Sequence, residues 1–503
     1  MSPKAIKKIL IANRGEIAIR VIRACHDMGI IAVAVFSEPD RAALHVRRAD
    51  EAYPIGPAAP QQSYLNWKKI IEVAKKSGAD AIHPGYGFLS ENTEFAREVI
   101  KAGLIFIGPD PDVIHRMGSK IESRKIAEAA KVPLIPGMQR PLKDPEEALQ
   151  VAKEIGFPIL IKAASGGGGK GMRDVRNEGE LKSAFTMAQN EALASFNDKD
   201  VYIEKLIEGP HHIEVQVFGD HHGNVVHLFE RECSVQRRHQ KVIEESPSPF
   251  ISEKTRQKVC EMAVQLCKSV NYYNAGTVEC LVDQHQNYYF LEMNTRLQVE
   301  HPITEMVTGT DLVKAQILVA QGEKLPFRQE DLKQTGHAIE CRIYAEDPFH
   351  DFRPAPGKVI EQQYPLGPGI RLDNGIYAGY EIPMEYDPIL SKLVAYGADR
   401  KEAIQRMSRA LMEYRISGPT TNLYFHRRAI EIEDFVKGTY DTHFVDKHLA
   451  TILEVPEPEQ TKAFMAAALA RYLEDQKWQP SEESGTQADA SPWRLSGRGR
   501  NLS

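Results

Sequence analysis

The sequence predicts an α/β and α+β protein: a doubly wound α/β unit, then a region built on antiparallel sheet, then a mixed α/β segment. Three observations carry this. Apolar runs bounded by turn residues alternate with amphipathic helix patterns through residues 1–114. Strand patterns dominate from residue 201 onward, within a region spanning 115–335. Residues 336–450 mix both periods, and 451–503 differ in composition. At roughly 100–200 residues per domain, 503 residues make about three cores.

The elements follow in order. Residues 8–12 form a short apolar run, and Gly15 opens a helical pattern through Ile17, Val21, Ile22 and Met28. Residues 30–36 are apolar without alternation, as in a strand buried on both faces. A helix pattern at 64–76 leads to strands at 79–83 and 105–107. The ligand edge of such a unit lies at the strand C-termini: residues 13–16, 37–40 and 83–92. The first loop lacks G-x-G-x-x-G, which points to a substrate or an interface rather than a dinucleotide. Helix patterns at 120–131 and 145–155 precede a strand at 158–162. Further strands are expected at 172–175, 201–205, 213–218, 225–229, 276–282, 288–294, 337–344 and 392–396. Residues 463–478 read as a helix, and the Ser-, Gly- and Gln-rich stretch 479–503 as disordered.

Charge and cysteines narrow the function. Lys and Arg number 63 against 69 Asp and Glu, a net charge of −6, which excludes the footprint of a nucleic-acid binder and gives no polybasic membrane signal. The six cysteines make no C-x-x-C pair and read as buried thiols. Neither a signal peptide nor a membrane-spanning run is evident, so the expected location is cytoplasmic.

Four constellations carry chemistry. Gly166–Gly167–Gly168–Gly169 precede Lys170, and four glycines in a row suit a backbone that closely approaches phosphate oxygens. The spacing is not that of a Walker A loop, and the following strand pattern suggests the tip of a hairpin lid. Lys162 just before it offers a point charge for phosphate. Glu279 and Glu292 lie in strand runs joined by a polar turn near residue 285, which sets 279 across from 291 or 292, with Asn294 on the face of Glu292. Opposed carboxylates demand either a proton or a cation, and an oxygen-only donor set suits Mg²⁺ or Mn²⁺. Arg296 and Glu300 follow at once, a cation and a base beside that centre. Gln236, Arg237, Arg238, His239 and Lys241 form a basic run suited to an anionic substrate or a nucleotide phosphate. His221 and His222, before Gly223, read as an exposed turn.

These segments resemble a known family. IANRGEIAIR, HPGYGFLSEN, ASGGGGKGM, ERECSVQRRHQKVIEESPSP, FLEMNTRLQVEHPITE and GHAIECRIYAEDP are similar, in that order, to biotin carboxylase motifs of the ATP-grasp superfamily. The resemblance implies a pre-ATP-grasp N-terminal domain, a central ATP-grasp domain with a mobile glycine-rich lid at about 135–205, and a biotin carboxylase C-terminal domain. It implies an enzyme that activates bicarbonate with ATP and Mg²⁺ (or Mn²⁺) and carboxylates biotin. Lys120 and Lys162 would contact ATP phosphates, and Gly168 and Gly169 would close over them. Glu204, Lys205, Leu206 and Ile207 match the adenine segment, and His212, Gln236 and His239 further nucleotide contacts. Glu279, Glu292 and Asn294 match the metal ligands. Arg296, Gln298 and Val299 match the bicarbonate pocket, with Lys241 beside it. Glu300 matches the base and Arg342 the stabiliser of the biotin anion.

No A-M-K-M-type biotinylation motif occurs, so the expectation is biotin delivered in trans by a biotin carboxyl carrier protein and used by a carboxyltransferase subunit. The resemblance implies a homodimer through the first and last domains. The acceptor (acetyl-CoA, another acyl-CoA or pyruvate) stays open. SPWRLSGR near the end resembles a segment of longer acyl-CoA carboxylase chains. A carboxylate–amine ligase of the same superfamily has no use for Arg342, and a non-catalytic scaffold would have lost a metal carboxylate or Glu300.

Overall fold

The computed structural model describes residues 5–138, 140–163, 172–196, 199–455 and 458–477. It forms two units, Met1–Leu453 and Glu454–Ser503. The first begins with a parallel sheet of β1 (Lys8–Ile11), β2 (Ile31–Ser37), β3 (Glu51–Gly56), β4 (Ala81–His83) and β5 (Ile105–Phe106), in the order β3-β2-β1-β4-β5. Gly15, at φ +64°, turns the chain from β1 into the helix Gly15–Asp27. That helix buries Ile17, Val21 and Ile22 in a core shared with Phe218, Ala275, Leu312 and Ile317, so the parallel sheet is fixed to the central region. The edge strand β3 escapes the sequence reading because its half-buried EAYPIG lacks an apolar run and carries a proline.

A three-stranded antiparallel sheet follows: β6 (Ile159–Ala163), β7 (Arg173–Val175) and β8 (Val201–Lys205), ordered β7-β6-β8. The helices Pro145–Ile155 and Glu178–Phe196 flank it, and Ile159, Ile161, Val175, Phe185 and Ile203 form its own core.

The largest sheet holds β9 (His211–Gly219), β10 (Val225–Arg237), β11 (Gln240–Ser246), β12 (Asn274–Val282), β13 (Tyr288–Asn294) and β14 (His337–Tyr344). Two short ladders branch off, β15 (Glu346–Asp347) with β16 (Arg353–Pro354), and β17 (Glu361–Gln363) with a late strand. The sheet is completed by β18 (Ile370–Asn374) and β19 (Ile389–Gly397), in the antiparallel order β13-β12-β9-β10-β11-β14-β19-β18. It therefore runs unbroken through residue 336, where the sequence changes character. The basic run of the sequence is the β10–β11 hairpin, whose two turn residues Arg238 and His239 sit at φ +51° and +64°.

Alternation gives this sheet two unlike faces. Ile243, Ile339, Cys341, Ile343 and Leu393 pack under the helix Arg400–Glu413. Glu214, Arg231, Glu244, Glu340, Arg342 and Lys392 are buried and polar, and the helix His301–Thr308 packs over this side of the sheet. All six cysteines are buried and unpaired. In the second unit the helix Pro458–Lys477 exposes Phe464, Met465, Leu469 and Tyr472. Residues 479–503, read as disordered, and the SPWRLSGR segment lie outside the described residues. Among the described residues no helix is long and apolar enough to cross a membrane.

Four buried histidines give a pH dependence, His301 lying well below the usual range through burial and three others less far down. Burial pushes His45, His83 and His426 down from 6.5 to about 4. The folded state then binds fewer protons than the unfolded chain between these values, so the histidine contribution is complete above pH 6.5 and is lost as pH falls toward 4. Melting temperature is expected to be flat near pH 7.5 and to fall from pH 6.5 to 4.5. His426→Gln, which keeps a donor for the Arg342 carbonyl 2.8 Å away, should make that fall shallower in thermal melts.

Candidate active site

The site is built on the polar face and begins with a bulge. Cys280 pairs with Phe290 and Glu279 with Glu292, which leaves Leu291 unpaired and brings the two glutamates directly opposite. The turn that allows this is held by Asp283, whose side chain accepts from the backbone N–H of His285 and Asn287 at 2.8 Å each. Burial and the charge of Glu279 push the Glu292 carboxyl up. Asn294 donates to Glu279 Oε1 at 2.8 Å. Two opposed carboxylates and an amide oxygen, one acid raised by the other's charge, fit Mg²⁺ or Mn²⁺ as the cation that relieves the repulsion.

Beside them one ammonium gathers four acceptors. Lys241 Nζ donates to Glu214, to Glu279 at 2.9 Å, to Glu300 at 2.8 Å and to Gln298 at 3.2 Å. Burial would lower this lysine, but the three carboxylates hold it charged, far above the usual range. Glu214, Cys233 and Glu300 therefore surround a protein cation rather than mark a separate metal site. Burial would raise Glu300, yet Lys241, Arg342 and Arg231 keep it well below the usual carboxylate range. Arg342 divides its guanidinium between two acids, Nη2 to Glu300 at 3.0 Å and Nε to Glu244 at 2.6 Å.

The parallel sheet contributes one wall. Glu91, in the loop after β4, accepts from Arg296 Nε at 2.9 Å and from the Thr295 N–H at 3.0 Å. Arg296 Nη2 also reaches Asn294 Oδ1 at 3.0 Å. Gln298 Nε2 donates to Glu279 at 2.9 Å, and the Val299 carbonyl accepts from the buried Lys392 at 2.8 Å. His212 Nε2 lies 3.1 Å from Glu279, and its Nδ1 meets Gln236 at 3.0 Å.

The residues expected at the nucleotide end are placed differently. Lys162 and Arg124 both pair with the buried Glu204, Lys162 at 2.6 Å. The backbone N–H of Lys205 donates to Pro136 O at 2.7 Å and that of Leu206 to Pro158 O at 3.1 Å, so both donors are already engaged. Ile207 follows them directly. Lys205 Nζ reaches the carbonyls of Gly156 and Phe157 at 2.9 Å. Lys120 opens the helix Lys120–Ala129. His239 is exposed at the hairpin tip, where its neighbour Arg238 pairs with Asp351. Gly168 and Gly169 lie outside the described residues.

Thus Lys241, Glu279, Asn294, Arg296, Gln298, Glu300 and Arg342 belong to one hydrogen-bonded network, while Lys162 and Glu204 form a separate pair on the smaller sheet. Sequence reasoning missed Glu91, Glu214, Arg231 and Glu244. A signal existed for Glu214: with Gln216 it alternates against Ile213, Val215 and Val217 in a strand buried along its whole length.

Three family models cover most of the chain: "Biotin carboxylase, N-terminal domain" over residues 5–114, "Carbamoyl-phosphate synthase L chain, ATP binding domain" over 119–328, and "Biotin carboxylase C-terminal domain" over 340–447. A pyruvate carboxylase subunit of Methanothermobacter thermautotrophicus is 55% identical over 441 residues, 88% of this chain and 90% of its own. Biotin carboxylase of Halalkalibacterium halodurans is 53% identical, over 88% of this chain and 98% of its own. The propionyl-CoA carboxylase alpha chain of Mus musculus is 50% identical over 502 residues, 98% of this chain and 69% of its own. Among solved structures, the biotin carboxylase domain dimer of Hydrogenobacter thermophilus 2-oxoglutarate carboxylase, in complex with MgADP, ADP and bicarbonate, superposes with a TM-score of 0.84 at 46% identity, covering 90% of this chain and 100% of that one.

Proposed function

The chain belongs to the biotin carboxylase family of ATP-dependent ligases, and on that premise we propose that it performs the first half-reaction of an acyl-CoA carboxylase, carboxylating carrier-borne biotin through carboxyphosphate. The observation that carries the chemistry is the chain Lys241–Glu300–Arg342, a base clamped between two cations beside Arg296. Bicarbonate is a weak nucleophile until its proton is removed. Lys241, Arg296, Gln298 and the Val299 backbone would seat the anion, and Glu300 would take its proton as an oxygen attacks the γ-phosphorus and ADP leaves. A base held this low is ionised but weak. The bound anion adds a like charge and competes for Lys241, and both effects raise Glu300 toward a useful range. A Mg²⁺ or Mn²⁺ held by Glu279, Glu292 and Asn294 would offset phosphate charge.

At the other end, Lys162 would exchange Glu204 for phosphate oxygens, and Lys120, Gly168 and Gly169 would close on the same group. With the Lys205 and Leu206 N–H groups engaged and Glu204 paired with Leu160 in the β6–β8 ladder, the Ile207 N–H and the Lys205 carbonyl would meet adenine. His212, Gln236 and His239 complete the nucleotide side. Arg342 would meet the negative charge that develops on the ureido oxygen of biotin. Exclusion of water by the lid protects carboxyphosphate from hydrolysis.

The length of the likeness supports an acyl-CoA carboxylase as the parent complex. The likeness to the alpha chain of propionyl-CoA carboxylase covers 98% of this chain, whereas that to the Halalkalibacterium biotin carboxylase and to the Methanothermobacter protein covers 88%. The partners in that reading are a biotin carrier and a carboxyltransferase, and the dimeric neighbour supports a homodimer.

The test is ADP release with Mg-ATP, bicarbonate and free biotin, omitting each in turn. Release that requires bicarbonate and rises with biotin is the expected result. Turnover that ignores both would assign the site to a different ligase.

A further inference from the structure

Arg342 is held by two carboxylates, and only one of them has a part in the reaction proposed above. Glu300 contacts Nη2 at 3.0 Å and Glu244 contacts Nε at 2.6 Å, which leaves Nη1 outside both contacts. Glu244 is fully buried on β11, and Glu340 stands directly opposite on β14. Both Glu340 carboxylate oxygens are buried without a hydrogen-bond partner in the described structure. Burial pushes both acids up, Glu340 well above the usual carboxylate range and Glu244 to about 7, where Arg342 opposes the shift and the Glu300 charge adds to it. Protonation of Glu300 removes that like charge and so favours the ionised form of Glu244 beside the guanidinium.

Glu300 cannot anchor Arg342 throughout turnover. Once it accepts the bicarbonate proton its charge is gone, and the Arg342–Glu300 bond loses its ionic strength. That is the stage at which biotin must find a fixed guanidinium. We propose that Glu244 is a positioning residue for biotin carboxylation: it holds Arg342 in register after Glu300 has been protonated, and so acts on the biotin step and not on ATP or bicarbonate. The proposal rests on the reading of Arg342 given above. Glu244 itself touches no substrate in this scheme. Its effect passes through Arg342, whose backbone is fixed independently by His426 and Asn422 on its carbonyl.

The experiment uses the full chain and compares wild type with Glu244→Gln, Glu244→Asp and Arg342→Ala. It measures biotin-dependent ADP release, ADP release with bicarbonate alone, and KM for ATP. Glu244→Gln is expected to lower the biotin-dependent kcat about tenfold, because small misplacement of a charge-stabilising group is costly. KM for ATP and biotin-free release should stay within about twofold of wild type, and Glu244→Asp, which keeps the charge, should recover part of the loss. A Glu244→Gln enzyme with full biotin-dependent turnover beside an impaired Arg342→Ala enzyme overturns the proposal. So does a parallel fall in biotin-free release and ATP affinity, which would mark a structural residue. Full biotin-dependent turnover in Arg342→Ala would instead overturn the reading of Arg342. If Glu244→Gln does not fold, Glu244→Asp carries the same comparison, and an equal loss in all three measurements is again the overturning result.

Discussion

Glu300→Gln is expected to lower bicarbonate-dependent ADP release by a factor of about 10²–10⁴, the range lost with a general base. Gln has nearly the same shape, but Lys241 and Arg342 bond to different oxygens of Glu300, at 2.8 and 3.0 Å, and the single amide oxygen can accept from only one of them. Lys241 also keeps Glu214 and Glu279, and Arg342 keeps Glu244, so neither cation is left buried and unpaired. The change therefore removes proton acceptance and one charge-assisted hydrogen bond, while both cations stay paired with other acids. KM for ATP should be unchanged, because Glu300 pairs with Lys241 and Arg342, the groups read as bicarbonate and biotin contacts. KM for bicarbonate should hold or fall, since a negative charge beside the anion has gone. Steady-state kinetics at saturating Mg-ATP over a bicarbonate series read both parameters. A variant within tenfold of wild type in kcat would move the base elsewhere.

The parts of this site that could be read from the sequence are those fixed by local pattern. The polar turn near residue 285 brings Glu279 and Glu292 together, although the register is decided by the bulge at Leu291, which no residue type announces. The strand ends of β8, β13 and β14 follow from clean transitions between apolar and turn residues. β11 was hidden because KVIEES begins in the basic run and ends in acids whose partners lie far off: Arg342 for Glu244, and Arg400 and His337 for Glu245. The helix Glu178–Phe196 was missed although Leu181, Phe185, Ala188 and Ala192 recur at helical spacing, because half of that stripe is alanine. Glu91 shows the limit of local reading. It lies in a quoted motif, but its partner Arg296 is 205 positions away, and only the packing of the parallel sheet on the central one joins them.

Arg231→Met is expected to produce the largest loss of stability of any single substitution in this face of the sheet. Arg231 is fully buried on β10, and its guanidinium ties together three strands and a helix. Nε pairs with Glu214 on β9, Nη1 reaches Gln216 at 2.7 Å and Thr304 at 2.9 Å, and Nη2 reaches Thr277 on β12 at 3.2 Å. Methionine fills much of the volume but supplies no donor. It leaves the Gln216 and Thr304 oxygens short of a partner and Glu214 with Lys241 as its one remaining counter-charge. Removing one member of a buried ion pair costs about 3–5 kcal/mol, since the surviving charge stays desolvated. Arg328→Ala is the control: Arg328 pairs with Asp331 at 2.9 Å but is exposed, where solvent screens the pair. Thermal and urea unfolding of the two variants should show a melting temperature lower by about 3–5 °C for Arg231→Met and no resolvable change for Arg328→Ala. An Arg231→Met protein as stable as wild type would mean that Lys241 alone suffices as the counter-charge of Glu214 in the interior.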